Sequence, residues 1–413
     1  MSVDPATTIL THLALLLLLG LIISLISKKF KVSNILLLLL AGLILGQSTI
    51  GENFQFDSTF LVALAVLTLV LVVFDGSSRF EMKSVNLFSF TALKVSVIFL
   101  FLNFLFITYF TAWLFFNDFS IEAVLVSMIM AFIMTGTDPG SVFILLKSKT
   151  NRVIEFLEVE AIVNTPIMVI FPFIILDILN NLHAEGVTSA IVSQFVPLLQ
   201  QIVVGIGAGM VIGIVVFKSM KNMYSERYSP AGIITAALLA YILAENLGGN
   251  GVLAVATLGL VFANVYVKEK ENLQVFSSMI SNSLVILVFI LAGLIIKVDF
   301  SFSFFARALV LFIILTITRL VSIEWGLKNT IFDKNKHFTS KEKLFMAISM
   351  PKGIAATVVA FSLSVFSLAE NVVPMMDMIL QLVIVMIVYS LIASSIVDRF
   401  SKKLIRIKIE DGG

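Results

Sequence analysis

Apolar runs of about 20 residues, separated by short polar breaks, follow one another along the whole chain. An α-helix needs a run of this length to cross the hydrocarbon core of a bilayer, whereas a helix on the surface of a soluble protein has a polar face. The pattern predicts thirteen membrane spans, at about 7–27, 33–47, 58–76, 87–116, 120–146, 153–180, 193–217, 229–246, 250–267, 273–296, 302–327, 341–368 and 372–398.

The composition supports an all-α polytopic membrane protein and excludes several kinds of chemistry. Hydrophobic residues make up 59% of the 413 positions and charged residues 13%, which leaves too little polar surface for a soluble protein of this length. The absence of cysteine excludes disulfides, thiolate metal sites and a thiol nucleophile. The three histidines, His12, His183 and His337, are too far apart in sequence to suggest a metal cluster, so no cofactor is expected.

The positive charges predict how the spans are threaded. Of the 28 Lys and Arg residues, 23 fall in alternate connections, and the other connections hold only Lys297 and Arg307 at their edges. Cytoplasmic loops carry such an excess of positive charge. We therefore expect a multi-pass protein of the cell membrane whose N-terminus lies outside and whose short tail, 399–413, is cytoplasmic. The whole chain, 1–413, is expected to form a single membrane domain.

A faint internal repeat relates the two ends of the chain. The segment 41–47 resembles 258–264, an offset of 217 residues, and the odd number of spans between them would give the copies opposite orientations. Inverted repeats of this kind are typical of secondary transporters. The pattern predicts repeats at about 1–180 and 229–398, linked by the helix 193–217. The alternative is that Gly- and Leu-rich helices resemble one another by composition alone.

Two spans at matching places in these repeats carry Pro, Gly and a charge. The same offset moves Pro351-Lys352-Gly353 in span twelve next to the segment 135–140, Thr-Gly-Thr-Asp-Pro-Gly, in span five. Proline removes a backbone hydrogen bond, and an interrupted helix is tolerated at membrane depth only where protein or water satisfies the freed groups. Paired interruptions therefore indicate an ion site near the membrane midplane.

Asp138 is the first candidate residue at that site. A carboxylate within the bilayer must face water, bind a cation or stay protonated, because its burial alone is costly. Thr137 adds a hydroxyl oxygen beside it. The alternative is a structural role, in which Asp138 caps the half-helix that follows Pro139.

Span six supplies a second set of polar groups. Glu160 and Asn164 are four residues apart and share one helical face, with Thr165 adjacent. These oxygens suit a dehydrated monovalent cation. They would equally suit hydrogen bonds that hold neighbouring helices together.

Three further charges have two interpretations each. Asp75, at the end of span three, either forms a surface ion pair with Arg79 or acts as an accessory carboxylate. Lys352 is expected to pair with Glu160 or Asp138. Arg319 is expected to be a structural anchor for backbone carbonyls or for Glu324.

At these motifs the chain resembles the cation/proton antiporter superfamily, particularly the thirteen-helix archaeal and bacterial sodium/proton antiporters of the electroneutral type. The motifs are 137–139 (Thr-Asp-Pro), 160–165 (Glu-Ala-Ile-Val-Asn-Thr) and 351–353 (Pro-Lys-Gly). The resemblance implies crossed, unwound helices five and twelve, alternating access and a homodimer. It also implies that Thr137 and Asp138 lie at the ion site and that Lys352 pairs with Glu160.

The chain departs from that family at two positions. The usual pattern in span six is Glu-Ser-x-x-Asn-Asp, but Ala161 replaces the Ser and Thr165 replaces the final, ion-binding Asp. Our main hypothesis is therefore exchange of Na⁺, or of Li⁺ or K⁺, for protons through competition at Asp138, with Thr137, Asn164 and Thr165 as neutral ligands. The alternative is a homologue that lacks exchange or has altered selectivity.

A hypothesis from another class makes Asp75 and Asp138 the carboxylate pair of an intramembrane aspartyl protease. Thirteen spans exceed the usual scaffold of such an enzyme, and Asp138 lacks the Gly-x-Gly-Asp setting of that family. We therefore favour a transporter over an enzyme. Its expected partners are monovalent cations, protons, lipid and a second copy of the chain, and no nucleic acid.

Overall fold

The computed structural model of the protein describes residues 5–30, 33–49, 51, 54, 56–79, 87–137, 152–185, 195–222, 225, 227–328, 338–365 and 372–399. Within these ranges the regular structure is helical and contains no strand. Asp138, which the sequence places at the ion site, lies outside the described residues, as does the tail beyond Arg399.

Fourteen α-helices run through the described ranges. They are α1 (Pro5–Phe30), α2 (Asn34–Gly46), α3 (Ser58–Ser77), α4 (Leu87–Thr111), α5 (Ile121–Ile133), α6 (Arg152–Glu185), α7 (Phe195–Asn222), α8 (Ser229–Asn246), α9 (Gly251–Asn264), α10 (Lys270–Ile295), α11 (Phe302–Gly326), α12 (Ser340–Ile348), α13 (Ile354–Val365) and α14 (Val373–Arg399).

Eight of the described helices are long and apolar enough to cross a membrane, and five shorter apolar segments accompany them. The shorter segments fall within predicted spans two, five, six, nine and twelve. The protein is therefore a multi-pass, all-helical membrane protein, as the hydropathy pattern predicted.

Polar residues at the breaks begin several of these helices. Ser120 and Ser301 cap α5 and α11 by accepting a hydrogen bond from a backbone N–H of the first turn, and Asn250 does the same for α9. Thr339 and Glu342 form a reciprocal capping box at the start of α12. Such caps satisfy N–H groups that have no partner within the helix.

The helices pack in two groups. One contains α1, α2, α3, α7, α8, α9 and α10, and the other contains α4, α5, α6, α11, α12, α13 and α14. Helix α13 of the second group packs against both α3 and α10 of the first. The end of α5 and the start of α13 both belong to the second group, and α13 connects that group to the first.

Glycines bring the helices of the first group into backbone contact. A Cβ on Gly293 of α10 would lie 2.5 Å from the carbonyl oxygen of Leu39 in α2, and one on Gly42 would overlap the carbonyl of Ile290. Gly259 of α9, 217 residues after Gly42, likewise adjoins Ser77 of α3. Small residues allow such close helix contacts in membranes. The same offset relates α2 to α9 and α3 to α10, so the two crossings correspond under the predicted repeat.

We expect Gly42→Ala to lower the thermal unfolding midpoint in detergent, because the added methyl group must push α2 away from α10. Overpacking of this kind costs about 1–3 kcal/mol. The matched control is Gly207→Ala in α7, where a Cβ meets nothing within 4 Å. Alanine favours a helix by up to about 1 kcal/mol over glycine, so the control should be neutral or stabilising. Equal midpoints for the two variants would contradict the close crossing.

Candidate functional site

Span twelve is interrupted between the end of α12 at Ile348 and the start of α13 at Ile354. The protein satisfies the backbone there: the amide N–H of Lys352 donates to Ser390 Oγ of α14 at 2.9 Å, and the carbonyl of Gly353 accepts from the amide of Thr357 at 3.1 Å. The connection is buried throughout. Its irregular backbone is thus supported by protein, as membrane depth requires.

The end of α5 meets this interruption directly. Helix α5 ends at Ile133, and the Nζ of Lys352 donates to the backbone carbonyls of Met134 and Gly136, both at 2.6 Å. The carbonyls at a helix C-terminus have no partner within the helix and carry partial negative charge. The ammonium group of Lys352 therefore joins the end of α5 to the interruption of span twelve by charge-assisted hydrogen bonds.

Arg319 of α11 and Glu160 of α6 form a second buried contact. The guanidinium donates through Nη1 and Nη2 to the two carboxylate oxygens, and both side chains are 0% exposed. Asn164, one turn along α6, donates from Nδ2 to the same carboxylate at 3.4 Å. A two-pronged Arg–carboxylate pair fixes the relative position of the helices that carry it.

These contacts correct two predicted pairings. Glu160 pairs with Arg319 and not with Lys352, whose Nζ binds backbone carbonyls. Arg319 does not bind Glu324 either, since Glu324 pairs with Lys343 at 2.6 Å near the end of α11. The planar guanidinium matches both oxygens of one carboxylate, whereas an ammonium group suits converging carbonyl oxygens. Sequence spacing does not show which helices are neighbours at a given depth.

Two oxygens of the predicted ion ligands lack a hydrogen-bond partner among the described residues. They are Thr137 Oγ1, just beyond α5, and Asn164 Oδ1, and both residues are buried. The hydroxyl of Thr165 differs, because it donates to the carbonyl of Ala161 at 2.7 Å. Of the three neutral ligands proposed from the sequence, Thr137 and Asn164 thus have unpaired oxygens, while the Thr165 hydroxyl already makes a backbone bond.

Asn103 of α4 was not among the candidates from the sequence, but it contacts the end of α5. Its Nδ2 donates to the carbonyl of Ala131 at 2.6 Å and to Thr135 Oγ1 at 3.0 Å, so it holds the last turn of α5. The available signal was an amide side chain within a long apolar helix, which in a membrane usually faces other helices. Asn103 is fully buried.

Asp75 has partners of its own at the end of α3. Its Oδ1 accepts from Arg79 at 3.0 Å and from Ser278 Oγ of α10 at 2.7 Å. The side chain is 22% exposed. The contact with Arg79 is the ion pair that was one of the two interpretations of Asp75 from the sequence. The contact with Ser278 links α3 to α10.

The charges of the described site do not balance. Among the described residues, the ionisable side chains that are 0% exposed are Glu160, Arg319 and Lys352, which carry one negative and two positive charges when ionised. An unpaired charge is costly in a medium of low dielectric constant. Of these three, Lys352 has no carboxylate partner among the described residues, and its Nζ binds carbonyls at the end of α5.

Three comparisons relate the chain to known proteins. The family model described as "Sodium/hydrogen exchanger, transmembrane" matches residues 13–403. The solved structure of the sodium proton antiporter MjNhaP1 from Methanocaldococcus jannaschii at pH 8 superimposes with a TM-score of 0.78 at 18% sequence identity, covering 97% of this chain and 98% of that one. The chain therefore shares the fold of that protein, which confirms the predicted fold class.

Two curated relatives are 24% and 25% identical to the chain. The K(+)/H(+) antiporter NhaP2 of Shewanella sp. (strain MR-4) is 24% identical over 277 residues, which is 66% of this chain and 47% of that protein. The chain thus spans about half the length of this relative. The "Probable Na(+)/H(+) antiporter 2" of Methanocaldococcus jannaschii is 25% identical over 394 residues, 88% of this chain and 87% of that protein.

We expect Glu160→Gln to destabilise the protein by about 3–5 kcal/mol, because it leaves a buried guanidinium without its counter-charge. The double variant Glu160→Leu with Arg319→Leu should recover much of this loss. Thermal unfolding in detergent measures both. Lys343→Met is the matched control, since the Glu324 side chain of that pair is 48% exposed and such pairs contribute at most about 1 kcal/mol. Equal losses of stability in Glu160→Gln and Lys343→Met would contradict the assignment of Glu160 and Arg319 as a buried ion pair.

Proposed function

The chain belongs to the sodium/hydrogen exchanger family, and from this membership we propose that it exchanges a monovalent cation for protons across a membrane. Na⁺ is the first cation to test. The observation that carries the proposal is the contact of the Lys352 ammonium with the carbonyls of Met134 and Gly136, at 2.6 Å each, where the end of α5, in a span predicted to be interrupted, meets the interruption of span twelve. Transporters bind their ions at such paired interruptions.

We propose Asp138 as the residue where cation and proton compete. It follows Thr137 directly in sequence, and Thr137 is buried beside the carbonyl of Gly136 that Lys352 contacts. The unpaired oxygens of Thr137 and Asn164 support a role as neutral ligands, and Thr165 would join them by giving up its backbone bond.

Competition at one carboxylate would produce obligatory exchange. An ionised carboxylate without a cation or a proton is costly to carry through the low-dielectric part of the protein. Only the two neutralised states would therefore cross, and each cycle would move one cation one way and one proton the other. The simplest stoichiometry is one for one and electroneutral. Helices five and twelve would cross and unwind at this point, and alternating access would carry the site between the two sides.

The surroundings of the chain are part of the same proposal. We place it in the cell membrane with the N-terminus outside, and we propose a homodimer. The exposed apolar side chains of α1 and α7, among them Leu18, Leu25, Val203 and Val211, supply surface that lipid or a second copy would cover.

We expect Asp138→Asn to abolish cation-driven proton flux, because an amide cannot alternate between proton and cation. The measurement is dye-monitored flux in proteoliposomes under Na⁺, Li⁺ and K⁺ gradients. Asp75→Asn is the comparison variant, since Asp75 already pairs with Arg79 and Ser278, and its loss should reduce flux far less. Wild-type flux in Asp138→Asn would refute the assignment.

A second candidate function is a homologue with altered selectivity or without exchange. The observation that favours it is Thr165, whose hydroxyl donates to Ala161 in the place where the family's carboxylate is expected. If this candidate is correct, the wild type should show no Na⁺-driven flux, and Thr165→Asp should gain it by restoring a charged ligand. Robust wild-type flux that Thr165→Asp leaves unchanged or lowers would exclude this candidate in favour of the first.

A further inference from the structure

Phe99 of α4 adjoins both buried cations of the site. The centre of its ring lies 4.9 Å from Cζ of Arg319 and 5.7 Å from Nζ of Lys352, and the side chain is 0% exposed. A cation within about 6 Å of an aromatic face is attracted by the ring quadrupole, most strongly where water is excluded. One ring therefore contacts two cations that come from different helices.

The two cations differ in what else holds them. Arg319 has the carboxylate of Glu160, which neutralises its charge. The ammonium of Lys352 binds the carbonyls of Met134 and Gly136, and no carboxylate within the described residues pairs with it. Carbonyl dipoles and the face of Phe99 thus supply the described electrostatic stabilisation of Lys352.

Like charges brought together in a medium of low dielectric constant repel each other strongly. The negative face of an aromatic ring offsets part of that repulsion for both cations. A leucine or methionine of similar volume would fill the same space without offsetting the repulsion between the two cations. The identity of residue 99 is therefore tied to the charges beside it, although nothing in the sequence distinguishes it from the rest of the 37 phenylalanines.

We propose that Phe99 is a positioning residue for the exchange reaction: its ring holds the Lys352 ammonium on the carbonyls of Met134 and Gly136 and prevents it from competing with the transported cation. The inference rests on the proposed function, because competition at the ion site has meaning only if a cation binds there. If the ring is weakened, Lys352 is free to approach the acidic ligand of that site. The apparent affinity for the cation then falls, while the turnover of the loaded site changes little.

Fluorinated phenylalanines test this idea at nearly constant shape. Fluorine withdraws charge from the ring face, so 4-fluoro-, 3,4,5-trifluoro- and pentafluorophenylalanine at position 99 weaken the cation contact in steps. We expect KM for the transported cation to rise in the same order, by about tenfold for the pentafluoro variant, which corresponds to about 1.4 kcal/mol. We expect kcat to change by less than about twofold, because the ring would affect binding of the cation equally in the ground state and in the transition state.

The control is the same series at Phe361 of α13, which is also 0% exposed and has no aromatic–cation contact among the described residues. A stepwise rise in KM at position 99 together with a flat series at 361 supports the proposal. A flat series at 99, or an equal response at 361, overturns it.

Thermal unfolding distinguishes a failure of this proposal from a failure of the proposed exchange function. If the wild type carries no flux, exchange is refuted, and the unfolding midpoint in detergent still reports on the ring. A midpoint that falls stepwise at 99 and stays constant at 361 supports the contact of Phe99 with the two cations. Constant midpoints in both series, with no flux, overturn the positioning role. Phe99→Leu adds a variant made from natural amino acids, whose midpoint should fall at least as far as that of the pentafluoro variant.

Discussion

The structure depends on how it accommodates charge where no water is available. Glu160, Arg319 and Lys352 are all fully buried, and each has a specific partner set: the first two bind each other, and Lys352 binds the ends of two carbonyl dipoles. Both sets of contacts join groups that come from different helices. The charges therefore determine which helices must stay together, and they gather α4, α5, α6, α11 and the connection between α12 and α13 around one point.

The end of a helix can bind a cation through backbone carbonyls, which a continuous helix cannot do. A continuous helix satisfies its own carbonyls, whereas the end of α5 offers the carbonyls of Met134 and Gly136 to an ammonium group. Close by in the sequence motifs, the oxygens Thr137 Oγ1, just beyond α5, and Asn164 Oδ1, within α6, have no hydrogen-bond partner within the described residues. Under the proposed function, such a site would hold the Lys352 ammonium and still present neutral oxygens to a second cation, which would be the transported ion.

The two groups of helices have different kinds of contacts. In the first group, Gly42 and Gly293 bring α2 and α10 into backbone contact, a packing that leaves little room for movement. In the second, long polar side chains such as Asn103 and Arg319 span the distances between helices. Helix α13 packs against α3 and α10 of the first group. Movement of the second group against the first, as alternating access requires, would take place along that surface.

The sequence alone determined that the protein is an all-helical, multi-pass membrane protein, because the hydropathy of its spans is set by the lipid that surrounds them. It also singled out Thr137, Asn164, Glu160, Arg319 and Lys352, since polar groups inside apolar spans need a reason to be there. The tertiary structure decided the pairings. Whether Glu160 meets Lys352 or Arg319 depends on the depth and rotation of three helices, which spacing along one chain does not record. For the same reason, only the tertiary structure showed the contacts of Asn103 and Phe99. Asn103 contacts the end of α5, and Phe99 contacts two buried cations.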